Sequence, residues 1–175
     1  LNNIKTRIEL AKEKAPALTA TQETQNEMIT RLPFTLTPSQ KTSLAEIVDD
    51  IAKTRPMNRL LQGDVGSGKT VIAALAAMIA AKNGHQTAFM APTEVLAQQH
   101  YKTLARIFGH LQVPIGLLTS SGVRVFFGDG LENTIKKDEL KEQVRRGEVK
   151  IVVGTHALIQ KSVEMQSLGL AIVDE

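Results

Sequence analysis

Residues 63–70 decide the fold: Gly-Asp-Val-Gly-Ser-Gly-Lys-Thr fits the pattern G-x-x-x-x-G-K-[ST] at every position. Glycines at this spacing allow backbone N–H groups to curl inward around a phosphate. A helix predicted to begin at Lys69 adds the partial positive charge of its N-terminus. Lys69 is expected to reach the β- and γ-phosphates, and the Thr70 hydroxyl to ligate Mg²⁺. The residues predicted to bind a nucleoside triphosphate are Gly63, Asp64, Val65, Gly66, Ser67, Gly68, Lys69 and Thr70.

Short apolar runs alternate with amphipathic stretches around this loop. Strands are predicted at residues 59–61, 87–91, 113–118, 149–153 and 170–173, the last two being of the fully buried kind. Helices are predicted from Thr37 to about 51 and over 69–82, 93–108 and 135–146. The first is predicted to bury one face, formed by Leu44, Ile47, Val48 and Ile51, and the alanine-rich helix 69–82 is predicted to be largely buried. This order predicts an α/β fold with a parallel sheet and helices on both faces. Residues 119–134 are predicted to be irregular, and the alternative for the apparent insertion from Val123 to about Thr134 is a small hairpin.

Two parts of the chain differ in pattern. Residues 1–36 are predicted to be a peripheral linker or helical segment, because helical spacing over 1–11 is interrupted by Pro16. From Thr37 onward the pattern tightens, with Thr37 at a helix N-cap, Pro38 at the first helical position and Gln40 three residues after the cap. We therefore predict that residues 37–175 form the domain that holds the nucleoside triphosphate.

An acidic pair, Asp174-Glu175, follows the last predicted strand. At such a strand end Asp174 would hold Mg²⁺ through water, and Glu175 would act as general base on the attacking water. The alternative is two solvated carboxylates. With a phosphate loop upstream, the pair favours an ATP-hydrolysing motor over a GTPase or a small kinase, and the predicted catalytic residues are Lys69, Asp174 and Glu175.

Composition narrows the class of protein and its partners. The 175 residues carry a net charge of +3, a pI of about 9.2 and 3% aromatics, so contacts with a polyanion would rest on phosphates more than on base stacking. The absence of cysteine excludes disulfides and Cys-based zinc sites. The longest apolar-rich stretch, residues 71–81, is short of the roughly 18 residues that suggest a membrane span, so no membrane partner is expected and the cytoplasm is the expected location.

Five segments resemble the RecG-like DNA helicases of superfamily 2, with the Mfd-type translocases as their nearest relatives. They are residues 59–70 (the Walker A region), 89–100 (motif Ia), 152–160 (motif Ib), 32–40, and 168–175 (motif II). The resemblance implies an ATP-driven motor that remodels stalled forks and Holliday junctions. It also implies two RecA-like lobes, of which this chain supplies the first, ending after the Walker B strand as a piece of a longer polypeptide.

The same resemblance assigns further residues. Gln40 would read the adenine edge, the alternative being a purely capping role. The residues implied to face DNA are Pro92, Thr93, Glu94, Thr119, Ser120, Gly154, Thr155 and His156. Thr93 is in addition a natural N-cap for the helix predicted over 93–108, and both roles are compatible. For His156 the alternative to a DNA contact is a packed or solvent-facing side chain. Residues 119–122 read Thr-Ser-Ser-Gly where the family usually has Thr-Gly-Ser, which leaves open the hydroxyl that meets the phosphate backbone.

The implied ligands are ATP and Mg²⁺, and the implied partners are branched or duplex DNA and the second lobe and wedge domain of the same polypeptide. The implied location is the cytoplasm of a bacterium, in association with the nucleoid. Because the second lobe supplies arginine fingers, the chain by itself is expected to turn over ATP poorly. The alternatives are an Mfd-type transcription-repair translocase, or a nucleotide- or DNA-binding module without turnover.

Overall fold

A computed structural model describes residues 13–159 and 163–174 of the chain. The helical spacing predicted over residues 1–11 lies outside these residues, as does Glu175. The chain divides into two units, Leu1–Ile79 and Ala80–Glu175, which are described in turn.

Helix α2 of the first unit (Pro38–Ile51) begins where the capping signal predicts. The Thr37 hydroxyl accepts a hydrogen bond from the Gln40 backbone, and the Gln40 side chain accepts one from the Thr37 backbone. Its four buried residues are the predicted ones: Leu44, Ile47, Val48 and Ile51. Helix α3 (Lys69–Lys82) begins in this unit and is buried on nearly every side from Ile72 to Ala80, which confirms the prediction from its alanine-rich sequence.

Residues 13–36 pack against the end of α2. Helix α1 (Gln22–Thr30) is capped by Thr21, whose side chain accepts a hydrogen bond from the Thr24 backbone. The Leu18 N–H donates to the Ile51 carbonyl oxygen at 2.8 Å, and Leu18 and Met28 are buried. This part of the predicted linker therefore contributes to the core of its unit.

The strand predicted at residues 59–61 is wrong. These residues have no strand geometry, and Leu60 is 85% exposed. Arg59 instead binds α2, because its guanidinium donates to Asp50 at 2.9 Å and to Glu46 at 2.5 Å. A strand needs a neighbour with which to exchange backbone hydrogen bonds, whereas this segment is held through a side chain.

The second unit is built on a six-stranded sheet. Its strands are β1 (Gln86–Met90), β2 (Ile115–Leu118), β3 (Val123–Gly128), β4 (Leu131–Thr134), β5 (Ile151–Gly154) and β6 (Leu168–Val173). Their order in the sheet is β4-β3-β2-β5-β1-β6. Strands β1, β2, β5 and β6 pair in parallel, whereas β3 pairs antiparallel with both β2 and β4. The helices are α4 (Glu94–Phe108), α5 (Lys137–Arg145) and the 3-10 turns Gly109–Leu111 and His156–Ile159.

Two predictions for this sheet need correction. Within the stretch predicted to be irregular, residues 123–134 form the hairpin β3–β4, which confirms the alternative prediction. The sheet is therefore mostly parallel with an antiparallel hairpin at one edge. Strand β6 is not fully buried, because it is the other edge of the sheet and leaves Leu168 49% and Val173 56% exposed.

Helices cover both faces of the sheet. Helix α5 inserts Leu140 and Val144 into a cluster with Leu118, Val125 and Val152. Helix α4 packs on β2 and β5. Since side chains alternate between faces along a strand, α4 contacts the face opposite to this cluster. Among the described residues, no helix is long and apolar enough to cross a membrane.

Candidate functional site

The phosphate loop, residues 63–70, lies in the first unit and leads into α3. Gly66 and Gly68 have φ angles of +83° and +87°, which L side chains adopt with strain, so the loop requires glycine at both positions. The Lys69 ammonium donates to the carbonyl oxygens of Gly63 at 2.6 Å and Asp64 at 2.9 Å. It therefore lies over the loop from which the backbone N–H groups are expected to bind phosphate.

The Gln40 side chain joins α2 to the phosphate loop. Its Oε1 accepts from the Thr37 backbone at 2.9 Å, and its Nε2 donates to the Ser67 carbonyl oxygen at 2.8 Å. The capping contact is thus present, and the same amide touches the loop. Capping and a role beside the nucleotide are therefore compatible.

Four parallel strands end in register at one edge of the second unit, here called the carboxyl edge. Met90 pairs with Gly154 and with Val173, and Leu118 pairs with Gly154. The residues that follow these four ends therefore lie along one line. The structure brings together there the predicted residues Pro92, Thr93, Glu94, Thr119, Ser120, Gly154, Thr155, His156 and Asp174.

Glu94 ties two loops of the carboxyl edge together. Its carboxylate accepts from the backbone N–H groups of Ser120 at 2.9 Å and Ser121 at 3.2 Å, and from the Ser120 hydroxyl. These hydrogen bonds from Ser120 and Ser121 lower the pKa of Glu94 to about 2. The Glu94 carboxylate thus organises the loop after β2, a contact that the sequence did not predict.

The hydroxyls near this loop differ in their availability. Thr119 is 4% exposed, and its hydroxyl donates to the Gly122 carbonyl oxygen at 2.8 Å. Thr93 is exposed and caps α4, accepting from the Leu96 backbone at 3.3 Å. Ser120 is exposed as well. Of the two hydroxyl residues predicted after β2, Ser120 is therefore the one at the surface.

Gly154 allows two strand ends to approach each other. A Cβ added at Gly154 would lie 2.5 Å from the Leu118 carbonyl oxygen, and the Gly154 carbonyl oxygen accepts from the Ala91 backbone at 2.8 Å. Thr155 is half-buried and His156 is exposed, which excludes a packed His156 and fits both a DNA contact and a solvent-facing side chain. Gly154 has a packing role, and Thr155 and His156 have side chains at the surface.

Asp174 is fixed through its backbone and its side chain. Its N–H donates to the Met90 carbonyl oxygen at 2.8 Å, and its Oδ2 lies 2.6 Å from His100 Nε2. His100 is 6% exposed and tilts its ring against Phe89, with centroids 4.9 Å apart. No cluster of three or more metal-ligating side chains occurs among residues 13–159 and 163–174.

The contact of His100 with Asp174 is not among the predictions from the sequence, although the sequence contains a pattern that indicates a buried His100. Ala97, Tyr101 and Leu104 mark the buried face of α4, and His100 follows Ala97 by three residues and precedes Leu104 by four. That spacing predicts a buried histidine, which then needs a hydrogen-bond partner.

Comparisons with known proteins agree with this geometry. Residues 37–175 match the sequence profile of the DEAD/DEAH box helicase family. The chain is 44% identical over 167 residues to the ATP-dependent DNA helicase RecG of Aquifex aeolicus, covering 95% of this chain and 20% of the relative. It is 48% identical over 144 residues to RecG of a Synechocystis species, covering 82% of this chain and 16% of the relative.

A solved structure of RecG bound to a three-way DNA junction superposes with a TM-score of 0.84 at 40% identity, covering 98% of this chain and 22% of that one. The chain thus spans about a fifth of the length of these relatives. A match over 139 of 175 residues, from 37 to 175, decides the family. This chain belongs to the DEAD/DEAH box helicase family.

Proposed function

We propose that the chain is the ATP-binding lobe of a DNA helicase that couples ATP hydrolysis to the remodelling of branched DNA in recombination and repair. The observation that carries this proposal is the carboxyl edge, where residues of three proposed DNA-facing segments share one line with Asp174. The likeness to a RecG structure that holds a three-way DNA junction supports branched DNA as the substrate class.

ATP would be held by the phosphate loop. Lys69 is positioned over the loop by two carbonyl oxygens, and an incoming γ-phosphate would replace these weak acceptors with a charged one. The Gln40 amide, already at the loop through Ser67, would turn to the adenine edge.

Each unit contains a side chain with the chemistry that Mg²⁺ requires. In the first unit Thr70 offers a hydroxyl at the start of α3. In the second unit the Asp174 carboxylate has Oδ2 bonded to His100, which leaves Oδ1 for a hydrated cation. When bound, Mg²⁺ would neutralise charge on the β- and γ-phosphates. Asp174 would orient its water shell, and Glu175 would take the proton of the attacking water.

DNA would contact the carboxyl edge mainly through its phosphates. The exposed side chains there are those of Pro92, Thr93, Ser120 and His156, and the first helical turn of α4 adds the partial charge of its N-terminus. Residues 37–175 would act as the motor lobe and 1–36 as the segment that precedes it, which the start of the family match at residue 37 supports. A second lobe, a wedge domain and a cytoplasmic, nucleoid-associated location complete the proposal.

The decisive experiment measures ATP hydrolysis by the complete gene product with and without a three-way DNA junction. Lys69→Ala is expected to lower the DNA-stimulated rate by about 10²–10³-fold, the usual effect of removing one group that stabilises transition-state charge. The exposed Lys137 of α5 provides the control, and Lys137→Ala is expected to leave the rate unchanged.

Three results would contradict the proposal. Hydrolysis that no DNA accelerates would argue against a motor, and nucleotide binding without any turnover would make the chain part of a binding module. Equal rates for Lys69→Ala and Lys137→Ala would remove the phosphate loop from the reaction.

A further inference from the structure

We propose that His100 is a positioning residue that orients the Asp174 carboxylate, and that it thereby links the DNA-facing end of α4 to a carboxylate proposed to serve Mg²⁺. This inference rests on the proposed function. It concerns residues of the second unit only.

The geometry of the pair is restrictive. A carboxylate only accepts hydrogen bonds, so His100 Nε2 donates to Asp174 Oδ2 across 2.6 Å, a short, charge-assisted distance. The His100 side chain is 8% exposed and that of Asp174 is 38% exposed, so the bond joins a buried donor to an acceptor at the surface. An aspartate side chain has a soft terminal torsion, and this bond is what selects one orientation of it.

The main chain of Asp174 and the ring of His100 are each held by a further contact. The Asp174 N–H is bonded to the Met90 carbonyl oxygen, which fixes the main chain where β6 ends. The His100 ring packs on Phe89 of β1, which fixes its plane. With Oδ2 occupied, Oδ1 is the oxygen left to face a hydrated cation.

Helix α4 connects this pair to the proposed DNA surface. Thr93 caps the helix, and Glu94 in its first turn holds the loop at Ser120 and Ser121. His100 lies seven residues after Thr93, or about two helical turns on. Because an α-helix is stiff over two turns, a shift of its N-terminus on DNA would move the donor of the Asp174 carboxylate. The helix therefore provides a direct mechanical path between the two sites.

The test compares His100→Leu with His100→Gln in the complete gene product. Leucine fills the buried position without a donor, whereas the glutamine amide places a donor near the position of Nε2. The readout is the affinity for Mn²⁺ in the presence of a non-hydrolysable ATP analogue, measured by electron paramagnetic resonance of the free ion. Far-UV circular dichroism checks that each variant is folded.

His100→Leu is expected to weaken Mn²⁺ binding about tenfold, in line with the loss of a residue that orients a metal-site carboxylate. His100→Gln is expected to restore the affinity to within about twofold of the wild type. Addition of a three-way DNA junction is expected to change Mn²⁺ affinity in the wild type and to have a smaller effect in His100→Leu.

A folded His100→Leu variant with wild-type Mn²⁺ affinity would overturn the proposal. An equal loss of Mn²⁺ affinity in the leucine and glutamine variants would overturn it too, because the loss would then come from altered packing and not from the missing hydrogen-bond donor. If His100→Leu does not fold, His100→Asn replaces it, since its shorter amide does not reach Asp174. The Lys69→Ala comparison of ATP hydrolysis decides the proposed function separately, whatever the Mn²⁺ titrations give.

Discussion

The phosphate loop and the carboxyl edge are built in opposite ways. Lys69 of the loop contacts carbonyl oxygens five and six residues away, so its position depends on the motif itself, and the Gln40 amide adds one contact to Ser67 across 27 residues. At the carboxyl edge, Glu94 reaches Ser120 across 26 residues, and His100 reaches Asp174 across 74. A local motif can be identified from the residues that compose it, whereas an assembled edge depends on strand register and is specified by the whole sheet.

The largest effect on stability is expected at the carboxyl edge. Gly154→Ala would place a Cβ against the Leu118 carbonyl oxygen, a backbone atom that cannot rotate away. We expect a loss of about 1–3 kcal/mol in the free energy of unfolding, the usual cost of overpacking. Urea denaturation followed by far-UV circular dichroism measures it.

Gly122 provides the matched control. It lies in the loop after β2, and a Cβ added there would meet nothing within 4 Å. Gly122→Ala is expected to leave the urea midpoint unchanged. Equal midpoints for the two variants would mean that the register at the end of β5 does not hold the edge together.

A second, smaller effect separates capping from nucleotide recognition at the phosphate loop. Thr37→Ala and Gln40→Ala each remove half of the capping box, at about 1 kcal/mol of stability. Only Gln40→Ala also removes the hydrogen bond to the Ser67 carbonyl oxygen. We expect both variants to have lower urea midpoints, and only Gln40→Ala to lose preference for Mg-ATP over Mg-GTP in calorimetric titration.

The opposite outcome would be informative as well. If Thr37→Ala altered nucleotide preference as strongly as Gln40→Ala, the start of α2 would act on the loop as a unit, and the Gln40 amide would have no role of its own.

The smallest effect concerns the charge of Glu94. Its pKa in the folded chain is about 2, below the ordinary 4.5, so its ionised form stabilises the fold above about pH 4.5 and this contribution is lost as pH falls towards 2. Glu94→Gln cannot titrate. The wild type is therefore expected to lose slightly more melting temperature than Glu94→Gln between pH 5 and pH 3.

The difference between the two melting series is the quantity to measure, because Asp50 and Glu142 also have lowered pKa values and act in the same direction in both proteins. Parallel melting curves for the two proteins would show that the hydrogen bonds to Ser120 and Ser121 contribute nothing to the stability of the edge.

The sequence was most informative where one local signal decides the structure. Thr37, Pro38 and Gln40 predicted the start of α2, and the apolar spacing predicted its four buried residues. The alternation of helices and strands predicted most of the sheet. These features depend on interactions within one or two helical turns, which sequence periodicity records directly.

The wrong or missing predictions involve partners far away in the chain. Residues 59–61 have the composition of a strand, yet Arg59 is bound to α2 by Asp50 and Glu46. Strand β6 has the composition of a buried strand, yet its position in the strand order exposes it. His100 and Glu94 acquire their partners only when β2 and β6 are in register with β1 and β5. The composition of a segment indicates which secondary structure it can form, whereas the strand order of the sheet determines which residues it contacts.

The two outermost strands of the sheet, β4 and β6, differ in a way that matters for the solubility of the protein. Strand β4 closes one side with Leu131-Glu-Asn-Thr, whose glutamate and polar side chains discourage another chain from pairing there. Strand β6 closes the other side with Leu-Gly-Leu-Ala-Ile-Val, six residues without charge or proline. A segment of that kind at an open edge is a nucleus for strand-to-strand association between molecules. Concentrated solutions of this chain should therefore begin to aggregate at β6, and the solubility of the chain is governed by whatever covers that strand.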